Sequence, residues 1–276
     1  MLNISNTFLK SFKIYLRSNS PSVVVSKIAL FFTVINITLG LLSWFFLSNM
    51  FSASKLLENY GMDFTSFLVW GVVFNSFLLM SSSLKRLPNF VYSVGYKRLV
   101  MSRTEPFLFH IVYSILTVLS GAVTWTLLQV IVAALIFKVK IPSLYGLLLS
   151  IIVASIGFIA ETSFEIILDS LPILFDKLRY YPKVVPEIFQ TVSTIASSIY
   201  YPIEALPLAL QCLSYILPKG VTIQCIRYCL ILNQQFINYL FILIAENLLL
   251  LPITYIILRK VVKKAEKEGL KYTLPA

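Results

Sequence analysis

Histidine, charge and nucleotide-binding motifs are scarce or absent in this chain of 276 residues. His110 is the only histidine, which excludes a metal site built from several histidines and leaves little room for a Ser-His-Asp arrangement. Charged residues make up 13% of the chain, and no segment is polar enough to form a separate soluble domain. The pattern Gly-x-x-x-x-Gly-Lys-Ser/Thr, which cradles phosphate groups, is absent, so we expect no ATP hydrolysis on this chain.

Long stretches of apolar residues are abundant in this chain. Hydrophobic residues make up 58% of it, and the mean hydropathy is +0.85. Six stretches approach or exceed the roughly 20 residues that a helix needs to cross a bilayer, where every backbone N–H and C=O must be paired within the protein. We therefore predict an all-α polytopic membrane protein, a single transmembrane domain over 1–276 with a retained first span. The predicted spans are about 24–49, 64–83, 107–137, 142–163, 185–203 and 236–258.

The distribution of lysine and arginine predicts the orientation, because positive loops near spans stay cytoplasmic. With both termini inside, eighteen basic residues are cytoplasmic, in groups of four, five, three and six at 1–27, 85–103, 177–183 and 259–271. Five are outside: Lys55, Lys138, Lys140, Lys219 and Arg227. We expect a multi-pass plasma-membrane protein whose basic loops face anionic lipids, which accounts for the net charge of +11 without nucleic acid.

Two basic segments beside the spans have mixed character. Residues 3–17 place apolar and basic side chains on adjacent arcs of a helix, the pattern of an amphipathic helix on the membrane surface. The inside loop at about 85–105 combines charged with apolar and aromatic residues, so we expect it to form short helices that dock on a partner. The alternative is that its side chains enter the headgroup layer. The residues concerned are Lys85, Arg86, Phe90, Tyr92, Lys97, Arg98 and Arg103.

Three prolines interrupt the apolar run that follows the fifth stretch. Pro202, Pro207 and Pro218 cannot lie within one straight helix, so we predict short helices that dip back towards the membrane on the outer face. Glu204 and Arg227 are charged residues in apolar surroundings, and each is expected at the interface or beside a partner.

These features resemble the membrane subunits of ABC-2 type exporters. That family carries Pro-x-x-x-Leu-Pro after the fifth span and a proline about nine residues before an arginine. This chain has Pro202, Leu206 and Pro207, followed by Pro218 nine residues before Arg227. The likeness covers the whole length, from the surface helix to the basic tail. It departs in the first inside loop, where an acidic residue and a Ser-Pro pair are usual and this chain has neither.

The resemblance implies a permease subunit without a catalytic site, metal or cofactor of its own. Two copies, as a homodimer or with a close paralogue, would form the translocation pathway. Two separate ATPase subunits would hold ATP and Mg, and the loop at about 85–105 would couple the permease to them. The fifth span suits a pathway, because Thr191, Thr194 and Ser198 recur on one face; close helix packing is the alternative.

Carboxylates within the spans are a second set of candidate functional residues. Glu161, Glu165 and Asp169 are spaced i, i+4, i+8 and share one helix face near the inner end of the fourth span, and Glu246 lies within the sixth. Exposure to the cytoplasm for the first three, and a packing hydrogen bond for Glu246, are the alternatives. Two other functions stay open: an intramembrane enzyme that acts on a lipid through these carboxylates, and an anchor or sensor without transport.

The three cysteines, Cys212, Cys225 and Cys229, fall in the predicted outer region. An outer disulfide would leave one cysteine over. Buried free thiols are the alternative that we expect.

The predicted topology can be tested by cysteine labelling. Cysteines introduced at Ser18 and Ser102 should react with a membrane-impermeant reagent only from the cytoplasmic side, and one at Ser54 only from outside, because the charge bias places these loops on opposite sides. Labelling at position 102 from outside would overturn the six-span topology.

Overall fold

The structure is a computed structural model that describes residues 34–42, 62–81, 106–137, 139, 142–178 and 184–268. Within these ranges the regular structure is helical and contains no strand, which confirms the all-α class. The surface helix predicted at 3–17, most of the first span and the loop at about 85–105 lie outside the described residues. The helices are α1 (Phe64–Leu79), α2 (Pro106–Leu135), α3 (Leu144–Leu174), α4 (Val184–Ala196), α5 (Leu208–Ser214), α6 (Pro218–Leu230) and α7 (Phe236–Glu268).

Local sequence signals set where several helices begin. The Asp63 carboxylate accepts the Ser66 N–H at 3.1 Å before α1, and the Ser143 hydroxyl accepts the Gly146 N–H at 3.0 Å before α3. Pro207 directly precedes α5, and Pro218 is the first residue of α6, where a missing N–H costs nothing. The predicted breaks at these prolines are therefore present, and no single helix runs through 203–230.

Among the residues that the structure describes, three helical segments are long and apolar enough to cross a membrane: Ile115–Leu135, Leu144–Leu174 and Phe236–Ala265. They fall on the third, fourth and sixth predicted spans and indicate a membrane protein. Along α7 many large apolar side chains are exposed, among them Leu248 and Phe241 at 70% and 67%. Such a surface suits contact with lipid chains. The second predicted span contains α1, which has 16 residues.

The fourth and fifth predicted spans have different ends in the structure. The helix in the fifth stretch, α4, has 13 residues and stops at Ala196 rather than near 203. At 1.5 Å per residue it is about 20 Å long, less than the roughly 30 Å of hydrocarbon. The next residues turn, and Ser198 has a positive φ of 51°. By contrast, α3 continues to Leu174 rather than ending near 163, so the carboxylates from 161 to 169 lie inside the helix.

The short helix α6 lies at the centre of the packing. It contacts α1, α3, α4, α5 and α7, and all of its residues are buried. Two glycines of α3 allow this close approach. A Cβ atom at Gly157 would overlap the Thr222 side chain, and one at Gly146 would lie 2.9 Å from the Cys229 carbonyl oxygen. Because the later glycine faces the earlier residue of α6, the two helices are antiparallel.

Polar side chains connect α3 to α7 along their length. Asn247 Nδ2 donates to the Ile156 carbonyl at 3.3 Å, and Thr254 Oγ1 donates to the Ser163 carbonyl at 3.1 Å. Further along, Lys264 Nζ donates to the Leu174 carbonyl at 3.2 Å. Donors and acceptors advance in the same order, so α3 and α7 are parallel.

The contact between α3 and α6 can be tested at its tightest point. Gly157→Ala should lower the free energy of unfolding by about 1–3 kcal/mol, because the new methyl group overlaps Thr222 in a packed interface. The measurement is the Tm of the purified protein in detergent. Gly121→Ala is the matched control, since a Cβ there meets nothing within 4 Å. Equal Tm changes for the two variants would contradict the close packing.

Candidate functional site

Arg227 binds the turn that ends α4. Its side chain is 1% exposed. Nη1 donates to the Ser198 carbonyl at 2.6 Å and Nη2 to the Ile199 carbonyl at 2.8 Å, while the guanidinium carbon lies 3.5 Å from the centre of the Phe67 ring. A planar cation with forked donors can satisfy two carbonyls and lie flat on an aromatic ring at once. The partner expected for Arg227 is thus a pair of backbone carbonyls and a phenyl ring.

Neighbouring residues support this arrangement, which we call the Arg227 anchor. Gln224 Nε2 donates to the Ser198 hydroxyl. Gly71 of α1 leaves the space for the turn, because a Cβ there would collide with the Ile199 carbonyl oxygen and lie 3.0 Å from Arg227 Nη2. The anchor therefore joins α1, α4 and α6 and explains why α4 ends where it does.

The other residues of the proline motif differ in whether they are buried or exposed. Pro202 and Leu206 are buried, and Pro207 and Glu204 are exposed. Glu204 therefore lies at the surface, and Pro202 and Leu206 contribute backbone breaks and apolar packing.

The predicted carboxylate face of α3 lines a cleft against α4. On α3, Glu161, Glu165 and Asp169 line it as the i, i+4, i+8 spacing predicted. The rings of Phe164 and Phe189 meet edge to face at 6.3 Å. About 20 Å³ of this cleft is accessible to water, room for about one water molecule. We call it the acidic cleft, and its lining residues are Glu161, Phe164, Glu165, Leu168, Asp169, Pro186, Phe189, Gln190 and Ser193.

Lys219 and Glu246 lie close to carboxyl groups of the acidic cleft without lining it. Lys219 is 1% exposed and donates from Nζ to Thr194 Oγ1 at 2.9 Å. It is the second residue of α6, lies next to Glu161 and acts electrostatically on both Glu161 and Glu165. Glu246 of α7 is close enough to Glu161 to interact with it. Helices far apart in sequence thus bring Lys219 close to Glu161 and Glu165, and Glu246 close to Glu161.

Polar atoms in and beside the acidic cleft differ in whether they have a hydrogen-bond partner. Glu165 Oε2 accepts a hydrogen bond from Ser81 Oγ at 3.0 Å. Glu161 Oε2, Glu246 Oε2 and Ser193 Oγ are buried without a hydrogen-bond partner among the described residues. Buried polar atoms are nearly always paired in proteins, because an unpaired one costs about 1–3 kcal/mol. The acidic cleft therefore offers acceptors to a ligand.

The residues predicted to form a pathway stripe do not share one surface. Thr191 is exposed and donates to the Glu187 carbonyl of its own helix at 2.9 Å. Thr194 contacts Lys219, and Ser198 belongs to the Arg227 anchor. Ser198 does not continue the helix face of Thr191 and Thr194, because α4 ends at Ala196 and the chain turns there; a role of these residues in a pathway stays a prediction. Instead Gln190 and Ser193 face the acidic cleft.

Lys219 was missed as a site residue, since the charge count assigned it to an outer loop. Its only sequence signal is its place directly after Pro218 at the start of a helix. All three cysteines are free; Cys225 and Cys229 are buried as expected, whereas Cys212 is exposed. No group of three histidine, cysteine or acidic residues in the described ranges is arranged to hold a metal ion.

Comparison with protein-family models gives no match, and no curated protein matches the sequence.

The Arg227 anchor predicts a large loss of stability on substitution. Arg227→Gln should lower the free energy of unfolding by roughly 3 kcal/mol, because it removes two charge-assisted hydrogen bonds from buried carbonyls. The free energy of unfolding of Arg227→Lys should lie between those of the unmodified chain and Arg227→Gln, since a compact ammonium lacks the fork that reaches both oxygens. Thermal unfolding in detergent measures the effect. Arg259→Gln, at an exposed arginine of α7, is the control; equal Tm values for the two Gln variants would refute the anchor.

Proposed function

We propose that this chain is the permease subunit of an ATP-driven exporter of the ABC-2 type. Two copies form the translocation pathway, and two separate ATPase subunits supply the energy. The observation that carries the proposal is the joint role of the motif residues. Pro218 starts α6, and α6 presents Arg227 to the turn that ends α4. The spacing that resembles the family thus has a structural use in this chain.

Six spans are supported by the directions of the helices. Phe164 of α3 meets Phe189 of α4, whereas the earlier Glu161 lies near the later Thr194 through Lys219, so α3 and α4 are antiparallel. Since α7 is parallel to α3, the order inward, outward, inward suits α3, α4 and α7. Helical residues at 34–42, together with α1 and α2, fall on the three earlier apolar stretches. Both termini are then cytoplasmic in the plasma membrane.

A re-entrant hairpin between the fifth and sixth spans is supported by the order of contacts between α4 and α6. Thr194 meets Lys219, and Ser198 meets Arg227, so the two segments advance in the same direction. The chain between 199 and 217 must therefore return before α6 begins. A returning segment that includes α5, followed by the buried α6, is the hairpin that the prolines predicted.

The coupling function belongs to the loop at about 85–105. Its basic and apolar side chains suit an interface with an ATPase, because charge complementarity sets partner choice. The absence of a phosphate cradle in this chain supports hydrolysis on another polypeptide.

A second candidate, an intramembrane enzyme acting on a lipid, is favoured by the closeness of Glu161 to Glu165, Glu246 and Lys219. Carboxyl groups held in one apolar site can act as acid and base. Conversion of a lipid by the purified chain without ATP would support this candidate over the permease.

Charge reversal in the coupling loop tests the permease proposal. The double change Lys97→Glu and Arg98→Glu should reduce copurification of an ATPase with the tagged chain at least tenfold. The reason is that the new carboxylates would face partner groups of the same charge across the interface. The measurements are recovery of a partner that carries the phosphate cradle and ATPase activity of the complex.

The matched control reverses two exposed lysines of α7, Lys260→Glu and Lys263→Glu, with the same change in net charge. Membrane insertion of both double variants should be unchanged. Undiminished ATPase recovery with the loop variant would assign its charges to the lipid surface and remove the main support for coupling.

A further inference from the structure

We propose that the acidic cleft between α3 and α4 binds an organic ammonium group attached to a small apolar or aromatic body. The inference concerns ligand chemistry in a single chain. It does not rest on the proposed transport function, because the cleft is formed without an ATPase or a second permease.

Charge favours a cation in this cleft. Glu161 interacts with both Glu165 and Glu246, and Lys219 can balance the charge of only one carboxylate. Lys219 Nζ is also held by its hydrogen bond to Thr194 Oγ1 at 2.9 Å. A cation that enters the cleft would be attracted by carboxylates that line it, whereas an anion would be repelled.

Hydrogen bonding points to the same ligand. Ser193 Oγ and Glu161 Oε2 belong to side chains that are 2% and 4% exposed, both line the cleft, and neither oxygen has a partner among the described residues. An ammonium group has only donors to offer, and these oxygens are acceptors. A bare metal ion is a poorer fit, because the described carboxylates are not grouped as metal ligands.

The apolar lining favours an organic body over ammonium ion alone. The rings of Phe164 and Phe189 meet at 6.3 Å beside the carboxylates, and such rings attract cations through their faces. Leu168 and Pro186 complete the apolar wall. Phe189 is 42% exposed, so the rim is open at this ring. The small space beyond it admits a head group, and the attached body would lie along the aromatic rim.

Benzylammonium and benzyl alcohol form a matched pair of probes, because they share the ring and differ in charge. The full chain in detergent micelles is titrated with each by isothermal calorimetry near neutral pH. Benzylammonium should bind saturably, and benzyl alcohol should not. Glu165→Gln should weaken benzylammonium binding at least tenfold. Glu187→Gln, an exposed carboxylate of α4 outside the cleft, should leave it unchanged.

Three results would overturn the proposal: no saturable binding of benzylammonium, equal binding of the alcohol, or equal weakening by Glu187→Gln. Size-exclusion profiles show whether each variant is folded. If Glu165→Gln does not fold, Phe189→Leu at the open rim takes its place and should weaken binding several-fold; unchanged binding would then refute the site. Failure of the unmodified chain to copurify any ATPase, together with intact benzylammonium binding, would count against the permease proposal alone.

Discussion

Burial of charge in α6 is the constraint on which the described domain depends. Both Lys219 and Arg227 are 1% exposed within a chain that is otherwise strongly apolar. An isolated charge in such surroundings is costly, so each needs a fixed set of partners. Arg227 takes two backbone carbonyls and a phenyl ring, and Lys219 takes a hydroxyl and nearby glutamates. These partners lie on α1, α3 and α4, and the position of α6 fixes all three helices.

The burial of charge in α6 explains the positions of two glycines and the early end of α4. A polar helix can enter the apolar domain only where neighbouring backbones leave space, which Gly71 and Gly157 do. The Ile199 carbonyl becomes available to Arg227 only if α4 ends early, since a continuing helix would use it in its own hydrogen bond, whereas Pro202 has no N–H to donate to the Ser198 carbonyl. The short α4 is therefore a requirement of the anchor rather than a weak span.

The sequence was sufficient to predict the long helices and the carboxylate face of the acidic cleft. Hydropathy predicted α3 and α7, because an apolar stretch of such length has few alternatives to a helix. Helical spacing alone placed Glu161, Glu165 and Asp169 on one face. It failed for Ser198 and Lys219, whose surroundings depend on residues 25 to 29 positions away in the chain. Local sequence patterns contain no information about such distant partners. The end of α4 before Ser198 and the burial of Lys219 could therefore not be predicted.

The polar ties between α3 and α7 restrict how this domain can change shape. Three donors on α7 meet three carbonyls of α3, at Ile156, Ser163 and Leu174. Sliding one helix past the other by a single turn would break all three bonds at once and leave the buried Thr254 hydroxyl without this acceptor. A relative shift of α3 and α7 is therefore disfavoured, and we expect the two helices to keep their register when the domain changes shape.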